Sequence, residues 1–241
     1  MQVAETVGGI DVQALVLTLR LALVTTPILL LIGIPLGYWI ARSTRAVSRA
    51  VEAMVALPLI LPPTVLGFYL LVLLGPTTVV GRSITRLLGH TLAFSFSGLV
   101  VGSVLYSLPF AVQPIVAGFR SVDPGLLEAA ALLGASGWRQ LMRISLPLAR
   151  FLVITGAVLA FTHTVGEFGV VLMIGGSIPG ITRTLSIAIF DDVQNFSYAA
   201  ANRTALLLLG ISFVSLLVIY ARRETPTASE AVASRGVTGR G

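Results

Sequence analysis

Five apolar stretches, residues 12–41 (interrupted by Arg20), 51–74, 92–119, 146–175 and 204–220, take up most of this 241-residue chain. A hydrocarbon core about 30 Å thick needs about 20 apolar residues in helical form, and each stretch is near or above that length. Lipid offers no partner to an unpaired backbone N–H or C=O, so each stretch must be helical. The expected fold class is therefore an all-α membrane protein with five transmembrane helices. Residues 76–90 and 185–190 leave room for a sixth, short membrane segment. Composition agrees: 11% of the residues are charged, against roughly 25% in soluble domains. A chain so poor in charge cannot face water on all sides.

The charges that do occur are arranged by side. All sixteen basic residues are arginines. Arg42, Arg45 and Arg49 follow the first stretch; Arg120, Arg139, Arg143 and Arg150 surround the link between the third and fourth; Arg222 and Arg223 follow the fifth. These segments alternate along the chain, so they share one side, which the positive-inside rule makes the cytoplasm. The other side holds Glu5, Asp11, Arg82, Arg86, Arg183, Asp191, Asp192 and Arg203 and is close to neutral. The N-terminus is expected outside and the C-terminus inside. The net charge of +6 thus reads as a topology signal and not as a nucleic-acid surface. Arg20, a third of the way into its stretch, snorkels outward or faces protein. With no cysteine, the chain has no disulfide, thiolate metal site or cysteine nucleophile, and His90 and His163 alone argue against a metal site. No basic region precedes the first apolar run, so no removed signal peptide is expected.

The resulting organisation is an external N-terminus (1–11), a membrane domain (12–223) and a disordered cytoplasmic tail (224–241) rich in Thr, Ser, Ala and Gly. Residues 76–90 suit an outer loop with a short amphipathic helix bearing Ile84, Leu87 and Leu88. Residues 176–202 form a long outer segment whose apolar run is too short to span and suits a re-entrant or interfacial piece.

The most informative stretch is the polar link 120–147. Asp123-Pro124 reads as a helix start, with Asp as cap and Pro at the first helical position. The alanines at 129–131 favour helix and present a smooth face. Gly134 suits the left-handed residue that ends a helix, Ser136 can cap the next one, and Pro147 can open the fourth stretch. Alone, this describes a helix–turn–helix that could simply lie on lipid headgroups. The spacing narrows it: Glu128-Ala129-Ala130, three residues, Gly134, nine residues, Ile144, one residue, Leu146-Pro147. It resembles the EAA motif of ABC importer permeases, with every position filled. The resemblance implies the type I ABC importer permease fold, with this loop as a coupling helix docked on a dimer of cytoplasmic ABC ATPase subunits. It also implies an external binding protein that carries the cargo. One five-span chain encloses little volume, so a homodimer with the pathway on its two-fold axis is expected.

Two further stretches resemble molybdate permeases: LPLILPPTVLGFYLL at 57–71 and VGEFGVVLMIGGSIPGITRTL at 165–185. They imply molybdate as cargo and tungstate, nearly the same in size and charge, as a second. Sulfate permeases share the Gly-Glu-aromatic-Gly run, so a sulfate/thiosulfate or a tungstate permease is the alternative. Candidate pathway or gate residues are Pro62, Pro63, Thr64, Gly67, His163, Gly166, Glu167 and Gly169; outer-loop candidates are Pro179, Gly180, Thr182, Arg183 and Thr184. Physically, Pro58, Pro62 and Pro63 weaken a helix and free carbonyls, as at a gate or a simple kink. Glu167 within a span costs about 2.5–3.5 kcal/mol at the bilayer centre, so it should face protein or a cavity. His163, four residues earlier, is placed to pair with it. An ionised Glu167 repels a dianion, which favours a structural or gating role. Thr162 and Thr164 offer hydroxyls, though threonines often bond their own helix. Arg183 attracts an oxyanion, pairs with a binding protein, or is a solvated loop arginine.

The chain contains no lysine, so it has no Gly-x4-Gly-Lys-Ser/Thr phosphate loop. It is expected to be no enzyme and to hold no cofactor, ATP being bound by the partner subunit. One rival is an intramembrane serine protease, since residues 134–137 read Gly-Ala-Ser-Gly. That chemistry needs its serine within the membrane facing a histidine, whereas Ser136 lies in a polar, arginine-flanked loop. A secondary transporter is a second rival, but the inverted repeats common in that class are not seen.

Overall fold

The computed structural model describes residues 6–7 and 10–221. A two-residue antiparallel pairing of β1 (Thr6–Val7) with β2 (Ile10–Asp11) leads into α1 (Val12–Arg42). There follow α2 (Ala46–Ala56), α3 (Pro63–Leu74), α4 (Val79–Leu88), α5 (Phe96–Arg120), α6 (Pro124–Leu132), α7 (Gly137–Gln140), α8 (Leu146–Gly166), α9 (Gly169–Gly175), α10 (Leu185–Gln194) and α11 (Tyr198–Ala221). The fold is nearly all helix, as the apolar stretches require. The expected tail, 224–241, lies outside the described residues, as do residues 1–5, 8 and 9 of the N-terminal segment.

Among the described residues, four helical runs are long and apolar enough to cross a bilayer, and a bent pair of helices makes a fifth. The bundle centres on α1, α5 and α8. Small residues let these axes come close, as in membrane helix packing generally, where van der Waals contact replaces the hydrophobic drive. A Cβ on Gly156 would stand 2.7 Å from the Ala111 carbonyl oxygen, and one on Gly37 would stand 2.7 Å from Ile115 Cγ2. Leu29, Ile115 and Phe119 are fully buried in the seams so formed.

The second apolar stretch differs from a single straight span. After α2, a 3-10 turn (Leu57–Leu59) leads to a break, and α3 departs at 107° to the preceding run. Pro58, Pro62 and Pro63 are the cause: each lacks an N–H, and Pro63 opens α3 at the one helical position that tolerates it. The twelve residues of α3 rise only about 18 Å, and α3 packs against α9. The fourth stretch is likewise interrupted. Its helix stops at Gly166, Glu167 and Phe168 leave helical geometry, and α9 begins at Gly169.

Polar ties lock the ends. At the arginine-rich end, Arg42 donates from Nη2 to the carbonyls of Phe119 (2.8 Å), in the last turn of α5, and Val122 (3.3 Å), just beyond it. Arg120 makes a two-pronged contact with Glu52 of α2 (2.7 and 2.9 Å). At the other end, Thr18 of α1 donates to Ala14 O and accepts the Leu185 N–H, holding the start of α10 inside the fold. The short apolar run 185–190 is thus a buried helical turn against α1 and α11. The amphipathic helix expected in 76–90 is α4, with Leu87 and Leu88 exposed. Arg20 is exposed and lies over the Phe96 ring at 4.5 Å.

Arg183 is not a free loop cation. Its Nη1 is 3.2 Å from Asp11 Oδ2 and its Nε 3.0 Å from Asp191 Oδ2. Asp11 also caps α1, accepting the Ala14 N–H at 3.0 Å. One guanidinium therefore joins the start of α1 to α10. Arg183→Ala leaves two carboxylates facing each other, and the expected loss lies between the ~1 kcal/mol of an exposed pair and the ~3 kcal/mol of a buried one. Arg183→Lys should recover only part of it, because an ammonium cannot fork to both partners. Thermal melting of the detergent-solubilised variants checks this; unchanged midpoints would show that the pairs contribute nothing.

Candidate functional site

The link between α5 and α8 folds as its spacing predicts. Asp123 accepts the Gly125 N–H (2.8 Å) at the start of α6. At its end, the Ala135 N–H returns to Ala130 O (2.9 Å) and the Gly134 N–H to Ala131 O (2.9 Å). Gly134 itself has φ +80, the left-handed region that glycine enters without strain. Ser136 accepts from the Arg139 N–H (3.4 Å) to begin α7. A π-helical turn, Leu141–Ser145, carries Ile144 and hands the chain to α8 at Leu146 and Pro147. Glu128 and Ala129 are exposed, and Ala130 is half-buried.

Sequence reading missed the apolar character of this surface. Leu132 and Leu133 are 90% and 88% exposed, and Trp138 is 66% exposed. Three large apolar side chains bared beside polar loop residues mark a contact face. Ser136, the supposed protease nucleophile, is exposed here, a full helix away from His163.

The second constellation forms where the two broken stretches meet. A cavity of about 390 Å³ is walled by Pro63 and Thr64 at the start of α3, Tyr106 of α5, His163 and Gly166 of α8, and Glu167, Phe168 and Gly169 at the break. Gly169 allows the approach: a Cβ there would stand 2.8 Å from Pro63 Cβ. Gly67, one turn into α3, lies against Met173 and Val170 of α9 in the same way. Pro62 sits just outside as the residue preceding α3.

Glu167 and His163 do not pair with each other. The helix ends at Gly166, so Glu167 leaves the face that four-residue spacing assumes. Each group instead meets a serine of α5. Ser103 donates to Glu167 Oε2 (3.0 Å), and Ser107 Oγ lies 2.9 Å from His163 Nδ1. Glu167 is buried, its carboxyl group lies by the first N–H groups of α9 at Val170 and Val171, and its Oε1 has no well-formed hydrogen bond. Favourable peptide dipoles at a helix start help to hold a carboxylate out of water. The His163 ring stacks on Phe110 (3.8 Å, 22°) and leans on Tyr106 (5.0 Å). Ser103 and Ser107 were not singled out from sequence. Their signal was there: two hydroxyls four residues apart on one face of an apolar helix.

The outer-loop candidates make contacts within the fold. Thr182 is buried, donating to Gly175 O (2.7 Å) and accepting the Ile178 N–H (3.1 Å). Thr184 caps α10, Gly180 takes φ +73 in the turn after Pro179, and Arg183 is held by its two aspartates. Among the described residues, no cluster of three or more metal-ligating side chains occurs.

This architecture has known counterparts. The chain superposes on the inward-facing MetNI methionine ABC transporter with a TM-score of 0.65 at 17% identity, covering 87% of this chain and 93% of that one. A bacterial alginate ABC transporter gives 0.66 at 20% identity, with 89% and 80% covered. In sequence, the molybdenum transport system permease ModB of Azotobacter vinelandii is 50% identical over 215 residues, 89% of this chain and 95% of that protein. ModB of Escherichia coli K12 is 34% identical over 207 residues, 86% and 90% respectively. The sulfate permease CysW of Synechococcus elongatus is 28% identical over 206 residues, 86% and 72%. A family profile matches residues 33–225, so the chain belongs to the binding-protein-dependent transport system inner membrane components, the multi-pass permeases of ABC transporters.

Proposed function

We propose that this chain is the membrane subunit of an ATP-driven importer that carries molybdate, and tungstate with it, across the cytoplasmic membrane. The carrying observation is mechanical: α8 runs from the exposed loop of Glu128–Pro147 to the cavity at Glu167, a lever of about 30 Å. Motion imposed on the loop is therefore delivered at the helix break. The 50% identity to a molybdenum permease over nearly its whole length supports the cargo, and the lower identity of the sulfate permease ranks sulfate second.

In this reading the arginine-rich end faces the cytoplasm, with the N-terminus outside. A pair of ABC ATPase subunits docks on the 120–147 loops of two copies of this chain, and an external oxyanion-binding protein docks on the outer loops. ATP is hydrolysed by the partners, because a lysine-free chain has no phosphate loop. ATP-driven closure pulls the loops, α8 moves against α5, and the contact of α3 with α9 opens and closes the path. The proline break, Gly67 and Gly169 serve this gate, while Glu167 steadies the break without acting as a cargo ligand.

The test is oxyanion-dependent ATP hydrolysis in proteoliposomes that hold this chain, its ATPase subunit and the matching binding protein. Stimulation by molybdate and tungstate is expected to exceed that by sulfate at least about tenfold, a difference of about 1.4 kcal/mol. Equal stimulation by sulfate would leave the importer and sink the cargo; no stimulation by any oxyanion would sink both.

A further inference from the structure

We propose that the cavity between the two helix breaks is a proton-linked oxyanion subsite, in which His163 Nε2 turns from hydrogen-bond acceptor to donor as the dianion enters. This rests on the reading of the chain as an oxyanion importer.

Counting hydroxyl hydrogens assigns the ring. The Thr164 hydroxyl donates to Ala160 O (2.8 Å), which uses its one hydrogen. Its 3.0 Å contact with Ser107 must then be donated by Ser107. Ser107 has no second hydrogen, so at its 2.9 Å contact with His163 Nδ1 it accepts. The neutral ring therefore carries its proton on Nδ1 and leaves a lone pair on Nε2. That nitrogen has no protein partner among the described residues, and His163 lines the cavity.

The wall in this form repels a dianion: it presents the Nε2 lone pair, with the buried Glu167 carboxylate in the same wall. A proton taken from water onto Nε2 offsets the Glu167 charge and adds an N–H donor. Further donors stand ready. The hydroxyls of Thr64 and Tyr106 have no protein partner among the described residues, and Thr64 N–H lies in the unpaired first turn of α3. Neutral donors plus one switchable charge suit a site that must release its cargo: the proton returns to water when the oxyanion leaves. The titratable groups facing His163 across the cavity are Tyr106 and Glu167. Among the described residues, Pro63, Thr64 and Gly169 alone reach it from α3 and α9, and no charged side chain of α1 or α11 does.

The experiment measures molybdate uptake by proteoliposomes holding the full complex between about pH 6 and pH 8. Wild-type uptake is expected to rise at least about threefold per unit fall in pH, within the tenfold limit of one linked proton. His163→Gln, which offers an amide N–H near the Nε2 position, should transport without that slope. His163→Asn, which keeps a donor toward Ser107 but has nothing at Nε2, should lose at least about 90% of uptake at every pH. A flat wild-type profile, or a wild-type slope retained by His163→Asn, would overturn the proposal. Failure of the wild type to show any oxyanion-stimulated ATP hydrolysis would instead overturn the importer reading. A measurement independent of variant folding uses ¹⁵N-histidine NMR in lipid, where only His90 and His163 contribute. An Nδ1–H neutral ring is expected without oxyanion and a doubly protonated ring with saturating tungstate. An Nε2–H neutral ring, or no change on adding tungstate, refutes the proposal.

Discussion

Replacing Leu132 and Leu133 together by aspartate is expected to weaken binding of the ATPase subunit at least about 100-fold. Both side chains are almost wholly exposed on this chain, so the change should leave its own fold intact. Fully burying a leucine side chain contributes about 1.5–3 kcal/mol by the apolar area removed from water, so losing two of them on a partner covers the expected 100-fold. Aspartate adds an uncompensated charge to the loss of apolar area. Affinity measured by co-purification and titration with the purified ATPase subunit checks the prediction. Undiminished association would mean that the loop rests on headgroups and that the coupling surface lies elsewhere. Glu128→Ala, an exposed charge at the same joint, should do less, lowering stimulated hydrolysis while leaving assembly detectable.

Gly98→Ala is expected to destabilise the fold by at least about 3 kcal/mol. The added Cβ would stand 2.0 Å from the carbonyl oxygen of Leu92. Neither group can yield: Gly98 is in the first turn of α5, and Leu92 O already accepts from both N–H and Oγ of Ser95. Phe94, in the same turn, holds φ 59, with its N–H bonded to Ile174 O at the end of α9. Moving the turn therefore pulls on α9 as well as on α5. Overpacking of a rigid site commonly costs about 1–3 kcal/mol, and a backbone obstruction falls at or above that range. Gly137→Ala is the control, since a Cβ there meets nothing within 4 Å. Midpoints of thermal unfolding in one detergent compare the two; equal midpoints would show that the turn is softer than its geometry implies.

Reading the chain by residues worked where one local rule governs. Asp123, Gly134 and Ser136 cap and turn as their chemistry dictates, since caps and left-handed turns depend on a few adjacent residues. The proline cluster at 58–63 was legible as a weakened helix, though not as a 107° departure. His163 and Glu167 show the limit. Four-residue spacing puts them on one face only while the helix continues, and it stops between them. Arg183 failed for a related reason: its partners lie 172 and 8 residues away in sequence, and nothing local announces them.

By itself the sequence determined that the chain crosses a membrane as helices, where its arginines gather, and that the 120–147 link would fold as a helix, a glycine turn and a second helix. Those follow from apolar length, arginine placement and fixed spacing, all properties of neighbouring residues. Only the tertiary structure decided which serines hold Glu167 and His163, that α3 and α9 meet where their helices break, and that a cavity forms there. Such contacts join residues 56 and 64 positions apart for the serines, and 106 apart for Pro63 with Gly169. They depend on how closely the glycines of α3, α5, α8 and α9 let the helices approach, and that is set by packing in three dimensions.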